Sequence, residues 1–224
     1  MATSSARPGE AQGHQTVADL LDRLGGIPAR RVRLRPTPGT ATERDVVAIH
    51  DHENRLCELV DGVLAEKVTG FDESIEALLL ASALMNYLRV HDLGKVVGAD
   101  GMMRLIPGLV RIPDVAFLSW GRFPKGRRRR GEIPAVVPDL VVEILSRGNT
   151  RKEMARKLGE YFRAGVRLVW YVEPRTKTVR VDSSPDEVVA LGEGDSLDGG
   201  DVLPGFALPI CPWLDEAARS GPRP

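Results

Sequence analysis

Apolar residues recur along this chain with two periods, and the change from one period to the other marks out most of its elements. Val17, Leu20, Leu21 and Leu24 stand at helical spacing and Gly25-Gly26 closes the run, so a short amphipathic helix is expected over Thr16–Leu24. Residues 27–55 are rich in proline and charge and show no clear period. The strings LCELV and VLAEKV then flank Asp61-Gly62. An Asp-Gly pair between alternating runs predicts a hairpin, because both central turn residues need positive φ. FDESIEALLLASALMNYLRVHDLG reads as a long helix. Its expected apolar face is Ile75, Leu78, Ala81, Met85 and Leu88, widened by Leu84, with Gly94 just past its end.

Three strand candidates follow: KVVGADGMMRLI, GLVRIPDVAFLSW and VPDLVVEILS. The last is nearly all apolar, as expected of a strand covered on both faces. Asn149-Thr150 offers an N-cap for a second helix, Arg151–Ala164, which Gly165 ends. VRLVWYVEP is another buried strand, TKTVRVDS forms a hairpin with it, and VLPGFALPICPWLDEA supplies a capping strand and a short helix. This order places the chain in the α/β class, because two helices can cover opposite faces of a mixed central β-sheet. Residues 1–15 have the small, polar composition of a disordered segment. Residues 16–55 form an N-terminal helix with an irregular extension, and 56–217 form the main domain.

Composition changes this picture little, and charge changes it more. With 42% apolar residues, the 224-residue chain can bury a substantial core. Lys+Arg and Asp+Glu number 31 each, and a formal charge of zero argues against a general polyanion binder. The balance conceals a split, however. Arg104 to Arg167 holds 15 basic and 6 acidic residues, whereas Leu168 onward holds 5 basic and 10 acidic. A basic middle block points toward a polyanionic ligand. Cys57 and Cys211 lack metal-ligand spacing and are expected to stay reduced. Neither a signal peptide nor an apolar run long enough for a membrane span is visible, so a soluble cytoplasmic protein is expected.

Two carboxylates stand in surroundings wrong for surface charges. Asp114 follows Arg111-Ile112-Pro113 and precedes Val115-Ala116-Phe117-Leu118, which puts it inside a strand candidate. Glu143 lies between Val142 and Ile144 in the most apolar strand. Burying an ionised carboxylate costs several kcal/mol unless it is paired or metal-bound. Two on adjacent strands would repel each other unless a cation lies between them, and Mg²⁺ (or Mn²⁺) suits such oxygen ligands. A single such carboxylate is more often explained by a solvated strand end or an arginine partner; two of them, with a lysine nearby, favour a metal site. Asp139, four residues before Glu143, is read as structural. On the second helix, Lys157 flanks the apolar stripe Met154, Leu158, Tyr161 and Phe162. Its stem either snorkels to solvent or aims the ammonium at the carboxylates, where it would stabilise developing negative charge.

Together, RIPDVAFLS, PDLVVEILSRGNT and MARKLGEYFRAGVRLVWYVEP resemble the Uma-two family of restriction-endonuclease-like proteins, a branch of the PD-(D/E)XK nuclease superfamily. CELVDGVL and LDGGDVLPGFALPI carry the same resemblance, which runs from about Leu56 to Leu214. It implies a restriction-endonuclease-like PD-(D/E)XK core, with Asp114 as the PD aspartate and Glu143 as the second acid. Both would bind metal, and a backbone carbonyl such as that of Ile144 would complete the coordination. The superfamily's lysine, two residues after the second acid, is replaced here by Leu145. The resemblance assigns its function to Lys157. It also implies a first-helix acid, Glu73 or Glu76, with Glu58 a weaker option. The implied activity is metal-dependent hydrolysis of DNA phosphodiesters. A homodimer is left open, since cutting both strands in one encounter needs two active sites.

Arg127, Arg128, Arg129 and Arg130 lie between the two acidic strands, where they would either grip DNA phosphates or form a solvated loop. His14, His50, His52 and His91 lack zinc-ligand spacing, and the three tryptophans read as packing residues. The alternatives to a nuclease are a catalytically degenerate nuclease fold that binds nucleic acid or protein, and a structural domain whose acids pair internally.

Overall fold

The structure, a computed structural model, describes residues 16–68, 70–123 and 132–222. The N-terminal segment 1–15 and the run Arg127–Arg130 therefore lie outside the described residues.

The chain begins with α1 (Val17–Arg23), whose N-cap Thr16 exchanges hydrogen bonds with Asp19 in a capping box. A second helix, α2 (Glu43–Glu53), lies in the stretch that showed no period. Only Val46 and Ile49 are buried on it, too few to establish a periodicity. The Thr42/Asp45 capping box was its legible signal. Strands β1 (Cys57–Val60) and β2 (Val63–Glu66) form the expected hairpin, with Asp61 at φ 50° and Gly62 at φ 70° in the turn.

The long helix α3 (Phe71–His91) forms as expected and buries Ala81, Leu84 and Leu88 of the expected face, but its inward side is shifted from that face. Ala77, Leu80, Ala81, Leu84 and Leu88 are buried, whereas Leu78 and Met85 of the expected face are 67% and 44% exposed. The helix is apolar nearly all round, so periodicity alone does not choose its buried side. It ends at Asp92, which takes the left-handed conformation at φ 43°. Gly94 instead opens the next strand, where a Cβ would stand 1.9 Å from the Leu118 carbonyl oxygen.

Two of the strand candidates each divide between sheets. KVVGADGMMRLI becomes β3 (Gly94–Val97) and β4 (Met103–Ile106), and GLVRIPDVAFLSW becomes β5 (Leu109–Arg111) and β6 (Val115–Ser119). Asp114 thus sits at the crossing from β5 to β6, one residue after Pro113, and not within a strand. The remaining elements are β7 (Leu140–Ile144), α4 (Arg151–Ala164), β8 (Leu168–Glu173), β9 (Thr178–Ser184), β10 (Glu187–Leu191), β11 (Ser196–Asp198), β12 (Ala207–Pro209) and α5 (Ile210–Ala218).

A six-stranded sheet, β10-β9-β8-β7-β6-β3, forms the centre; a four-stranded sheet, β2-β1-β5-β4, stands beside it, and β11 pairs with β12. Only β7 and β8 run parallel within the central sheet, and α4 makes their crossover. Pleating assigns side chains to faces. Val115, Phe117, Leu140, Val142, Ile144, Leu168 and Trp170 pack in one core with α3 and α5. Ala116, Leu118, Val141, Val169 and Tyr171 pack in a second with Met154, Leu158 and Tyr161 of α4. The two helices expected to cover opposite faces of the sheet do so. By the same parity, Asp114 and Glu143 project toward α4.

Candidate active site

Antiparallel pairing sets Val115 opposite Val142, so Asp114 lies beside Glu143 on the α4 face of the sheet. The Asp114 amide donates to the Val142 carbonyl at 3.1 Å, and its Oδ2 accepts from the Ile144 amide at 2.8 Å. A carboxylate thus replaces a ladder partner at the end of β6, which fixes the Asp114 side chain against β7.

On α4, the buried side carries charges as well as apolar groups. Glu153, Lys157 and Glu160 recur at i, i+4 and i+7, and none is more than 4% exposed. Each meets an opposite charge from another element. Glu153 pairs with Arg31 at 2.9 Å, Lys157 with Glu143 at 3.0 Å and Glu58 at 3.3 Å, and Glu160 with Arg111. Arg111 also reaches Glu58 at 2.6 Å, and the Ile112 amide donates to Glu58 at 3.2 Å. The Tyr161 hydroxyl donates to Glu143 Oε1. Lys67, just after β2, pairs with Asp114 at 2.9 Å and donates to the Ile112 carbonyl at 2.6 Å.

These side chains surround a small cavity of about 20 Å³, lined among others by Glu58, Lys67, Glu73, Asp114, Glu143 and Lys157. That volume accommodates one water-sized species. A larger cleft of about 600 Å³ lies elsewhere, against Val47, Lys95, Met103 and Phe123, and contains none of these groups. The buried charges converge on the smaller cavity. Its electrostatics follow from burial and neighbours. Burial pushes Glu143 up, Asp114 and Glu58 add to this by repulsion, and Lys157 and Lys67 oppose it. Burial would also raise Glu58, but Lys157, Arg111 and Lys67 outweigh it and hold that carboxyl well below the usual range. Burial disfavours the Lys157 ammonium, but Glu143 and Glu58 outweigh that and keep it protonated.

Asp114, Glu143, Ile144, Lys157 and Glu73, all singled out from sequence, line this one cavity, and Lys157 does not snorkel to solvent. Glu76 faces the α5 side of α3, its Oε2 buried without a partner, while Trp213 donates to its carbonyl. Asp139 accepts from Ser119 and Arg122 at the far end of β7, a structural role. Lys67, Arg111, Glu160 and the hydroxyl of Tyr161 were not anticipated. The legible signal for Arg111 was a guanidinium next to Ile112 in a strand candidate. Lys67 carried none, because it follows a strand end where lysine is ordinary.

Among the described residues, no three of His, Cys, Asp and Glu are arranged to hold a metal ion, since Lys67 and Lys157 stand against the carboxylates. The donor chemistry nevertheless fits a hard cation. Asp114, Glu143, Glu73 and a backbone carbonyl offer oxygens around a cavity of single-ion size, and no described cation pairs with Glu73.

Fold and site together define an α/β protein with a buried carboxylate–lysine cluster at the end of the central sheet. The Uma2 family, described as "Putative restriction endonuclease", matches residues 43–211, and the chain belongs to it. A crystal structure described as "a putative nuclease belonging to DUF820 from Anabaena variabilis ATCC 29413" superposes with a TM-score of 0.61. It shares 19% identity, over 71% of this chain and 91% of that one, a likeness of fold. No curated protein matches. Among the described residues, no helix is long and apolar enough to cross a membrane.

Proposed function

We propose that the protein is a metal-dependent endonuclease that hydrolyses DNA phosphodiester bonds at the cavity between β7 and α4. The observation that carries this reading is the convergence of Asp114, Glu143 and Lys157 on one cavity from three separate elements of a nuclease-family fold. Asp114, Glu143 and the Ile144 carbonyl would hold Mg²⁺ or Mn²⁺, with Glu73 as a further oxygen ligand. When bound, such an ion supplies a Lewis acid for the phosphate and lowers the pKa of a coordinated water.

The chain's own groups do the rest. Lys157, kept protonated by Glu143 and Glu58, cannot act as a base. It holds Glu143 in place and offers positive charge to the phosphorus-centred anion as the new P–O bond forms and the leaving-group P–O bond breaks. Tyr161 restrains the same Glu143 oxygen. Lys67 neutralises Asp114; with a divalent ion held by Asp114, that ammonium would be free to face a phosphate. The replacement of the usual lysine by Leu145 is thereby met from α4, whose ammonium reaches Glu143 at 3.0 Å. In this reading Arg127–Arg130, outside the described residues, would grip DNA phosphates, the alternative being a solvated loop.

The internal pairing of Asp114 with Lys67 favours a second reading, a nucleic-acid-binding module without cleavage. Incubation of plasmid DNA with the protein and Mg²⁺ or Mn²⁺ separates the two. Nicking that disappears in Asp114→Asn and Glu143→Gln supports the nuclease. Nicking unaffected by either substitution, or DNA retention without cleavage under both metals, overturns it.

A further inference from the structure

Two members of the apolar face expected to be buried on α3, Leu78 and Met85, face outward, and Phe71 stands in line with them. Phe71 is 80% exposed, Leu78 67% and Met85 44%. Phe71, Ile75, Leu78, Ser82, Met85 and Arg89 follow one another at alternating steps of four and three residues, the repeat of a coiled-coil seam. Over 21 residues this seam is about 30 Å long, and isolated exposed residues would not need such order. The segments outside the described residues offer little apolar chemistry to match it. MATSSARPGEAQGHQ carries no large apolar residue beyond Met1, and PKGRRRRG carries none.

The seam is complementary to itself when reversed. Asp72 flanks its N-terminal end and Arg89 closes its C-terminal end. An antiparallel copy centred near Leu80 sets Phe71 against Arg89, Ile75 against Met85, and Leu78 against Ser82. The small Ser82 leaves room for the partner's Leu78, and Asp72 comes beside the partner's Arg89. A two-fold axis uses the same patch on both copies, which is the commonest way a soluble chain forms a closed oligomer. A parallel pairing would instead set Asp72 against Asp72 and Arg89 against Arg89.

From this we infer that the outer face of α3 is a homodimer interface, in which two copies pair antiparallel through Phe71, Leu78 and Met85. Sedimentation velocity on the full chain over a range up to about 100 µM tests it without reference to activity. The wild type sediments as a dimer, and Leu78→Lys weakens association at least tenfold with an unchanged melting temperature at concentrations dilute enough for both to be monomeric, since Leu78, 67% exposed, makes little contact within its own chain. Asp72→Arg and Arg89→Asp each weaken the dimer, and the double substitution restores it. A wild type that stays monomeric throughout overturns the inference and leaves the stripe for a different partner. So does a dimer indifferent to Leu78→Lys, or one that the double charge reversal fails to restore.

Discussion

Among the described residues, Lys157 is the one cation paired with both Glu143 and Glu58, so replacing it with methionine tests the whole cluster. Methionine keeps most of the stem's packing and removes only the charge. Glu143 and Glu58 are 5% and 1% exposed, and losing one partner of a buried ion pair costs about 3–5 kcal/mol because the other charge stays desolvated. Arg111 still serves Glu58, and Tyr161 still donates to Glu143, which places the expected loss near the lower end of that range. For a chain of this size, roughly 3 kcal/mol lowers the melting temperature by about 6–12 °C. The deficit depends on pH with a definite sign. Glu143 is already raised above its ordinary 4.5 by burial and by Asp114 and Glu58, and it rises further once Lys157 is gone. A raised carboxyl contributes its stability below the unfolded pKa and loses it as pH climbs through the folded value. Glu58, held low by Lys157 and Arg111 against its burial, contributes above its unfolded pKa and loses that contribution in acid. The Glu143 effect makes the variant's deficit larger at pH 8 than near pH 5, while the Glu58 share is already present at pH 5 and fades only in stronger acid. Urea unfolding followed by the fluorescence of buried Trp170 reads this directly. A loss under about 1 kcal/mol at pH 8, the range of an exposed pair, would refute the buried-cluster argument. So would an equal loss at pH 5.

Other outcomes follow from the same reasoning. Glu76, pushed up to about 7 by burial and by Glu73, Asp72 and Glu173, has a buried oxygen without a partner. Its contribution to stability is therefore lost as pH rises from about 4.5 through 7, and Glu76→Gln should raise the melting temperature at pH 8 while changing little at pH 5. Equal effects at both pH values would contradict this assignment. Gly62 sits at φ 70°, and a Cβ there would stand 2.5 Å from the Gly39 carbonyl oxygen. Gly62→Ala should cost on the order of 2 kcal/mol or more in chemical denaturation, combining backbone strain with that clash. A neutral result would mean that the loop around Gly39 yields freely.

Much of the fold could be read from the chain because its signals are local. Thr150 and Gly165 bound α4, Asp61-Gly62 makes the hairpin turn, and the apolar run of β7 marks a strand covered on both faces. Asp114 and Glu143 were legible for a related reason: carboxylates within apolar runs conflict with the cost of burying charge. The inward face of α3 was legible only in part, at Ala81, Leu84 and Leu88, because both of its sides are apolar and only the sheet and α5 decide which is covered. Helix α2 escaped because two buried side chains cannot establish a period. The division of two strand candidates between sheets is also a tertiary outcome, since Pro113 permits a bend without dictating which sheet the chain enters. Lys67 and Arg111 entered the site unannounced, because a cation near a strand end looks alike whether it meets water or Asp114. Sequence alone determined which charges had to be reconciled with an apolar interior. Tertiary packing decided which partners reconcile them, because desolvation penalises a buried charge from anywhere in the chain while only the folded geometry brings opposite charges within 3 Å.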